Sequence, residues 1–148
     1  MNDVPLDLLV DLPSCKLYFI PASNTFMVRA HGHLTEGDLH QVLDEMIQQI
    51  THKQASSLIV DQGELEHVPG MLRGWFTAQF LTDPEVRGVL RSLGNVVRIH
   101  PTRSFASVMM NVVARVTEAV LGVSLAQAET LEEAISLIEA PNSSEHAA

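Results

Sequence analysis

The chain has a single cysteine, Cys15, among its 148 residues, so an internal disulfide is impossible. With Met1-Asn-Asp-Val-Pro lacking a basic leader and acidic residues falling inside Leu6–Leu12, no secretory signal is expected. A reducing cytoplasm is then the expected setting. No apolar run nears the roughly 18 residues that a membrane-crossing helix needs, so no membrane partner is expected. Basic residues are scarce, with 9 Lys and Arg against 18 Asp and Glu, a net charge of −9. That balance argues against nucleic acid as a partner through bulk attraction. The serines sit in no Gly-x-Ser-x-Gly setting, which removes a hydrolase elbow. There is no internal repeat and no low-complexity tract.

What is present suits one core. Apolar residues make up 46% of the chain and the mean hydropathy is +0.14, ample for a domain of this length. Residues 1–13, with Pro5 and Pro13, are expected to form an irregular N-terminal arm. A single domain is expected over 14–140, with a flexible tail over 141–148. Charge is unevenly spread. Between Arg73 and Arg115 lie six arginines and two acids, a local balance of +4 that leaves −13 to the rest. A solvated arginine face is the ordinary explanation, and a pocket for a small anion is the alternative.

The periodicity alternates between two values. Lys16–Ile20 and Thr25–His33 read as strands joined at Pro21-Ala-Ser-Asn24, a hairpin. In the second, Phe26, Val28 and Ala30 share one face while Met27, Arg29, His31 and His33 share the other. Thr35 caps a helix with Asp38 three residues on, and Leu39, Val42, Leu43, Met46, Ile47 and Ile50 form its inner stripe. Ser57–Asp61 is almost wholly apolar, as a central strand covered on both faces requires.

A polar loop, Gln62–Gly70, should follow, with Pro69 in the first turn of a helix carrying Trp75 and Phe76. Adjacent on a helix, those two rings cannot face one way: one enters the core and the other walls a pocket or contact. A shorter helix over Pro84–Leu93 leads to the strand Val96–His100. A long helix then starts at Thr102 or Ser104, with Phe105, Val108, Met109, Val112, Val116 and Val120 as its stripe. A short strand over Ser124–Ala128 precedes Thr130-Leu-Glu-Glu133, a capping box opening the last helix. The fold class is α/β: a mixed four- to five-stranded sheet that starts with a β-hairpin, with helices packed on it. Right-handed crossovers would set the last two long helices on the side of the first.

This order resembles the STAS-like domains, in the SpoIIAA-like branch related to the bacterial anti-sigma factor antagonists. The carriers are Val28-Arg-Ala-His-Gly-His-Leu-Thr35, the strand Leu58-Ile-Val-Asp61, the Trp75 helix, the Gly94–His100 strand and Ala128-Glu-Thr-Leu-Glu-Glu-Ala134. The resemblance implies a regulatory binding module. In that family a serine in the loop after the Asp-ended strand accepts phosphate from a partner kinase. Here the corresponding place is Val68-Pro69-Gly70, which keeps a glycine and lacks the hydroxyl.

Strand tips of open α/β sheets are where ligands bind, which marks Asp61, His67, Gly70 and Trp75 as candidate ligand-binding residues. His100-Pro-Thr-Arg-Ser104 adds His100, Thr102, Arg103 and Ser104, a helix start that suits an anion. Ordinary capping with an exposed Arg103 is the plainer reading. His31 and His33 point one way and could ligate a metal with a third group such as His67 or Asp61, but no ligand set of recognised spacing accompanies the pair and closed structural zinc sites need four ligands, so no metal or cofactor is expected. Cys15 lacks a neighbour that would stabilise a thiolate, and packing is its expected role. The expected function is a non-enzymatic STAS-like module that binds a protein partner or a small ligand, as a homodimer. The alternative is a carrier or sensor of a small anionic or apolar ligand at the carboxyl edge of the sheet. A third reading, an enzyme using the histidines and Asp61, would need them in one cleft.

Overall fold

The computed structural model describes residues 4–100 and 104–139, the side chains of residue 73 and of 104–109 excepted. Six strands form one sheet in sequence order: β1 (Asp7–Asp11), β2 (Cys15–Ile20), β3 (Thr25–His33), β4 (Ser57–His67), β5 (Asn95–Ile99) and β6 (Ala126–Ala128). The first three pair antiparallel, and β3 through β6 pair parallel. Between β2 and β3 the chain turns through one 3-10 turn at Pro21–Ser23 and Asn24 in the left-handed region, φ 52°. Asparagine tolerates that region, so the hairpin closes where its turn residues place it.

Each parallel step needs a crossover. They are α1 (Glu36–Lys53), then α2 (Leu72–Trp75) with α3 (Pro84–Arg91), then α4 (Ser104–Leu121). The strand order advances in one direction, so right-handed crossovers put all of these helices on one face. There Leu39, Val42 and Met46 of α1, Leu90 of α3 and Met110, Val113 and Leu121 of α4 close over Leu17, Phe26, Val28 and Leu58. The last helix, α5 (Leu131–Glu139), packs on the opposite face, with Ala134 and Ile135 against Met27, Ile59, Val97 and Ile99. The expectation of one side for every long helix fails at α5. No strand follows it, so crossover handedness does not bind it, and the bare rear face of the central strands takes it.

Three further expectations change. The sheet has six strands rather than four or five, because part of the expected irregular arm is β1, paired from Asp7↔Phe19 to Asp11↔Lys16. Its prolines flank the strand instead of interrupting it, and an edge strand tolerates exposed Leu8 and Leu9 without alternation. Second, β4 runs on to His67 through irregularities in its pairing with β3, so most of the expected Gln62–Gly70 loop is strand. Third, among the described side chains of α4, Met110, Val113 and Leu121 are buried and Val120 packs against them as expected, while Val112 is 36% exposed; the side chains of Phe105, Val108 and Met109 lie outside those described. Valine and methionine surround that helix, which blurs its period. Thr102, Arg103 and the expected tail lie outside the described residues.

The start of α1 shows how tightly the hairpin and helix are joined. Thr35 Oγ1 accepts from Asp38 N at 3.3 Å. The return bond of a capping box is relayed through Ser14: Thr35 N donates to Ser14 Oγ at 3.1 Å, and Ser14 Oγ donates to Asp38 Oδ2 at 2.8 Å. Ser14 N adds a second bond to the same oxygen at 2.9 Å. At the other end of the chain Thr130 Oγ1 accepts from Glu133 N, as the capping box predicts, while Glu133 reaches back to Glu129 N. Ser14→Ala removes the relay, taking one hydrogen bond from the Asp38 carboxylate and one from the Thr35 N–H. Urea denaturation should show a loss of about 1–3 kcal/mol with unchanged m-value.

Candidate functional site

Of the residues expected to gather at the strand tips, Asp61, His67, Trp75 and His100 each make separate local contacts. Asp61 lies beside Arg29 in the parallel register, and its Oδ2 accepts from Arg29 Nε at 2.8 Å. Its Oδ1 accepts from Gly63 N at 3.0 Å. A Cβ on residue 63 would stand 3.3 Å from that oxygen, so glycine leaves the carboxylate its place. The Arg29 guanidinium also sits over the Tyr18 ring, 5.2 Å from its centroid. Burial works against its charge, but the hydrogen bond and field of Asp61, helped by Tyr18, hold the guanidinium above its ordinary range.

His67 is exposed and stacks on His33, ring centroids 5.4 Å apart. Gly70 is exposed in the turn before α2. That helix begins at Leu72, so Pro69 precedes it by a turn instead of lying within its first turn. His100 is half-buried, its N–H donating to Ala128 O at 3.3 Å. Ser104 opens α4. Among the described residues no three His, Cys, Asp or Glu side chains gather where they could hold a metal ion.

Cys15 is fully buried beneath α1. Burial, with the Asp38 carboxylate second, pushes its thiol up to about 12 from 9.0. The folded chain thus holds the neutral thiol where the unfolded chain releases its proton. Stability contributed by that difference is complete below pH 9 and falls as pH rises from about 9 to 12. A thiol reagent such as Ellman's should leave Cys15 unmodified at pH 8 and react promptly once denaturant opens the core. Denaturant midpoints should drop across the same alkaline window.

The space in the molecule lies elsewhere, on the helical face of the sheet. A cavity of about 130 Å³ separates β3, β4 and β5 from the helices. Its floor is Val28, Ala30, Leu58 and Val60, and its roof includes Leu43, Met46, Leu72, Val113 and Ala114. One wall comes from the chain after α2, where Phe76–Phe80 forms a π-helical turn closed by Leu81 N donating to Phe76 O at 2.9 Å. That wider turn brings Phe76 and Phe80 together, 5.2 Å between ring centroids, both facing the space. Trp75 turns to α1 instead and stacks on His40 at 3.7 Å. Phe76 is thus a pocket wall as expected of one ring, but neither ring enters the core: both are half-buried against the same cluster and both touch Phe80.

Four of the described lining residues are polar, Asp61, Gln62, Thr117 and Arg98, and the cation among them is Arg98. It sits on β5 opposite Val60 of β4 and is 3% exposed. Its Nε donates to Gln62 Oε1 and its Nη1 to Asn111 Oδ1 of α4, both at 2.9 Å. Among the described residues its Nη2 has no hydrogen-bond partner. Burial lowers its pKa, opposed by the Glu118 carboxylate, yet a guanidinium keeps its proton at any ordinary pH. The expectation of a solvated arginine face fails here: Arg98 is interior. Arg91 is also engaged, donating to the carbonyls of Val120 and Leu121 at the end of α4.

Of the described sequence candidates, Asp61 contributes to the cavity wall, while His67, Gly70, Trp75 and His100 stand away from it. Arg98, Gln62 and Asn111 were not among them. A signal existed: in Val96-Val-Arg-Ile-His100 the arginine shares the inward parity of Val96, and a strand covered on both faces buries whatever occupies that position.

A sheet that opens with antiparallel strands and continues in parallel through right-handed helical crossovers, closed by a final helix on the rear face, is a STAS-like α/β fold. The chain is similar to the solved structure of the anti-sigma factor antagonist SpoIIAA in its unphosphorylated form. The two share 17% identity and a TM-score of 0.51 over 93% of this chain and 98% of that one. No family model matches the chain, and no curated protein matches it.

Proposed function

We propose that this chain is a non-enzymatic binding and regulatory module that holds a small, largely apolar ligand between its sheet and its helices, and reports occupancy to a protein partner. The cavity carries the reading. At about 130 Å³ it approaches the roughly 150 Å³ apolar cavity that stays dry and admits benzene or xenon. Its walls come from α1, α2, α3 and α4 together, so a guest would touch every helix of that layer. We set the pocket on this face and not at the strand tips, a choice supported by the extra length of β4 and the burial of Val68 and Leu72 beyond it.

The solved structure it resembles is titled an anti-sigma factor antagonist, which supports a protein partner as the receiver. The Val68–Met71 turn has no hydroxyl, so ligand occupancy takes the place of a phosphate there. A homodimer in the cytoplasm completes the proposal.

A guest burying on the order of 150 Å² of apolar surface gains about 4 kcal/mol, a Kd near 1 mM. At ten times that concentration it adds about 1.4 kcal/mol and should raise Tm by about 3–6 °C. Benzene is the probe, read by thermal shift and by methyl resonances of Val28, Val60 and Val113. Ala114→Leu, which fills the space, should remove both responses while the protein stays folded. A wild-type protein indifferent to benzene in both readouts refutes the ligand reading.

A further inference from the structure

We propose that the cavity is an amphiphile site, in which Arg98 binds the carboxylate of a short-chain organic acid whose hydrocarbon part fills the apolar space. This rests on the ligand reading above and gives the ligand its chemical class. Arg98 is 97% removed from solvent on a residue exposure of 3%, and it lines the cavity. Both of its hydrogen-bonding partners, Gln62 and Asn111, are neutral amides. No carboxylate is within ion-pairing distance of it among the described residues, in contrast to Arg29 with Asp61.

A guanidinium has five N–H donors. Two are used, and Nη2 has no acceptor. A buried charge hydrogen-bonded only by neutral groups, with the Glu118 carboxylate acting on it from beyond bonding distance, is an incomplete arrangement, and an incoming anion completes it. The remaining donors on the two terminal nitrogens form the planar fork that matches a carboxylate. Gln62 and Asn111 hold Nε and Nη1 from the sheet and from α4, so the guanidinium is fixed at the cavity wall before a ligand arrives. Everything else around the space is hydrocarbon apart from Thr117 and the wall contribution of Asp61. A doubly charged head would exceed the one cation available, which favours a monoanion. The volume limits the tail to about the size of a benzene ring, or four to six carbons.

Titration calorimetry on the full chain with hexanoate, hexanamide, decanoate and benzene tests this. The expected result is hexanoate binding at least tenfold tighter than hexanamide, with the Arg98 side-chain N–H resonances shifting on hexanoate alone. Arg98→Met should erase that preference, leaving hexanamide at least equal to hexanoate, and Arg98→Lys should restore part of it. Should Arg98→Met fail to fold, the wild-type hexanoate-to-hexanamide ratio and the arginine resonances decide the matter without it. Equal affinity for hexanoate and hexanamide overturns the proposal while benzene binding keeps the apolar-ligand reading intact. Decanoate binding as tightly as hexanoate overturns the short-chain assignment in favour of a longer acyl acid. If neither benzene nor either six-carbon probe binds, the underlying reading falls with it.

Discussion

The parallel pairing of β3, β4 and β5 is the constraint on which the rest depends. Those strands lie mid-sheet, with helices over one face and α5 over the other, so most side chains of their central stretches are taken from water, while the ends at His33, Glu64, Glu66, His67 and Asn95 stay wet. For valine and leucine that is the source of stability. For polar residues on the same strands it is a cost that local geometry must offset. The two faces answer differently. On one, Arg29 is matched by the Asp61 carboxylate and the Tyr18 ring. On the other, Arg98 has two amide oxygens and a free nitrogen. Hydrogen bonds to a charged group contribute about 1.5–3 kcal/mol each, while burying an ion costs several. The first face is balanced and the second is not.

The cavity beside Arg98 has its own origin. The floor residues Val28, Ala30 and Val60 are small, and the crossover above them is short helix followed by a π-helical turn, not a long rigid rod. Helices α1 and α4 therefore meet the sheet at their own stripes without a third full helix filling the gap. An unfilled apolar space of 130 Å³ forgoes about 3 kcal/mol against a packed core. The chain bears, in the same place, an apolar space and a buried cation with no carboxylate at bonding distance among the described residues. Each alone would be a modest defect of packing. Together they have the complementary chemistry of one amphiphilic guest.

Much of the architecture was legible where local signals and tertiary demands agree. The hairpin turn at Pro21–Asn24, the Thr35 and Thr130 caps and the α1 stripe all follow from short-range chemistry, and all occur as read. Elements whose form depends on a distant neighbour were less visible. β1 is a strand because β2 offers it an edge, and its own exposed leucines do not alternate. The polar run after Asp61 continues as strand because β3 pairs with it out to His67. The true face of α4 is chosen by the sheet beneath it, since apolar residues lie around the helix on several sides.

The candidate site was less legible than the fold for a related reason. Polar loops at strand ends draw attention because solvent-facing groups can meet a ligand without first being buried. Counting charge over Arg73–Arg115 treats its arginines as equivalent, and they are not. Arg91 ends a helix, and Arg98 stands mid-strand between two covered faces. What separates them is the period-2 alternation of β5 combined with the number of layers on the sheet. A cation at an inward position of a doubly covered strand must find a partner inside the molecule. The protein supplies this one with hydrogen bonds but no negative charge at bonding distance, and the unfilled space next to it is where that charge can come from outside.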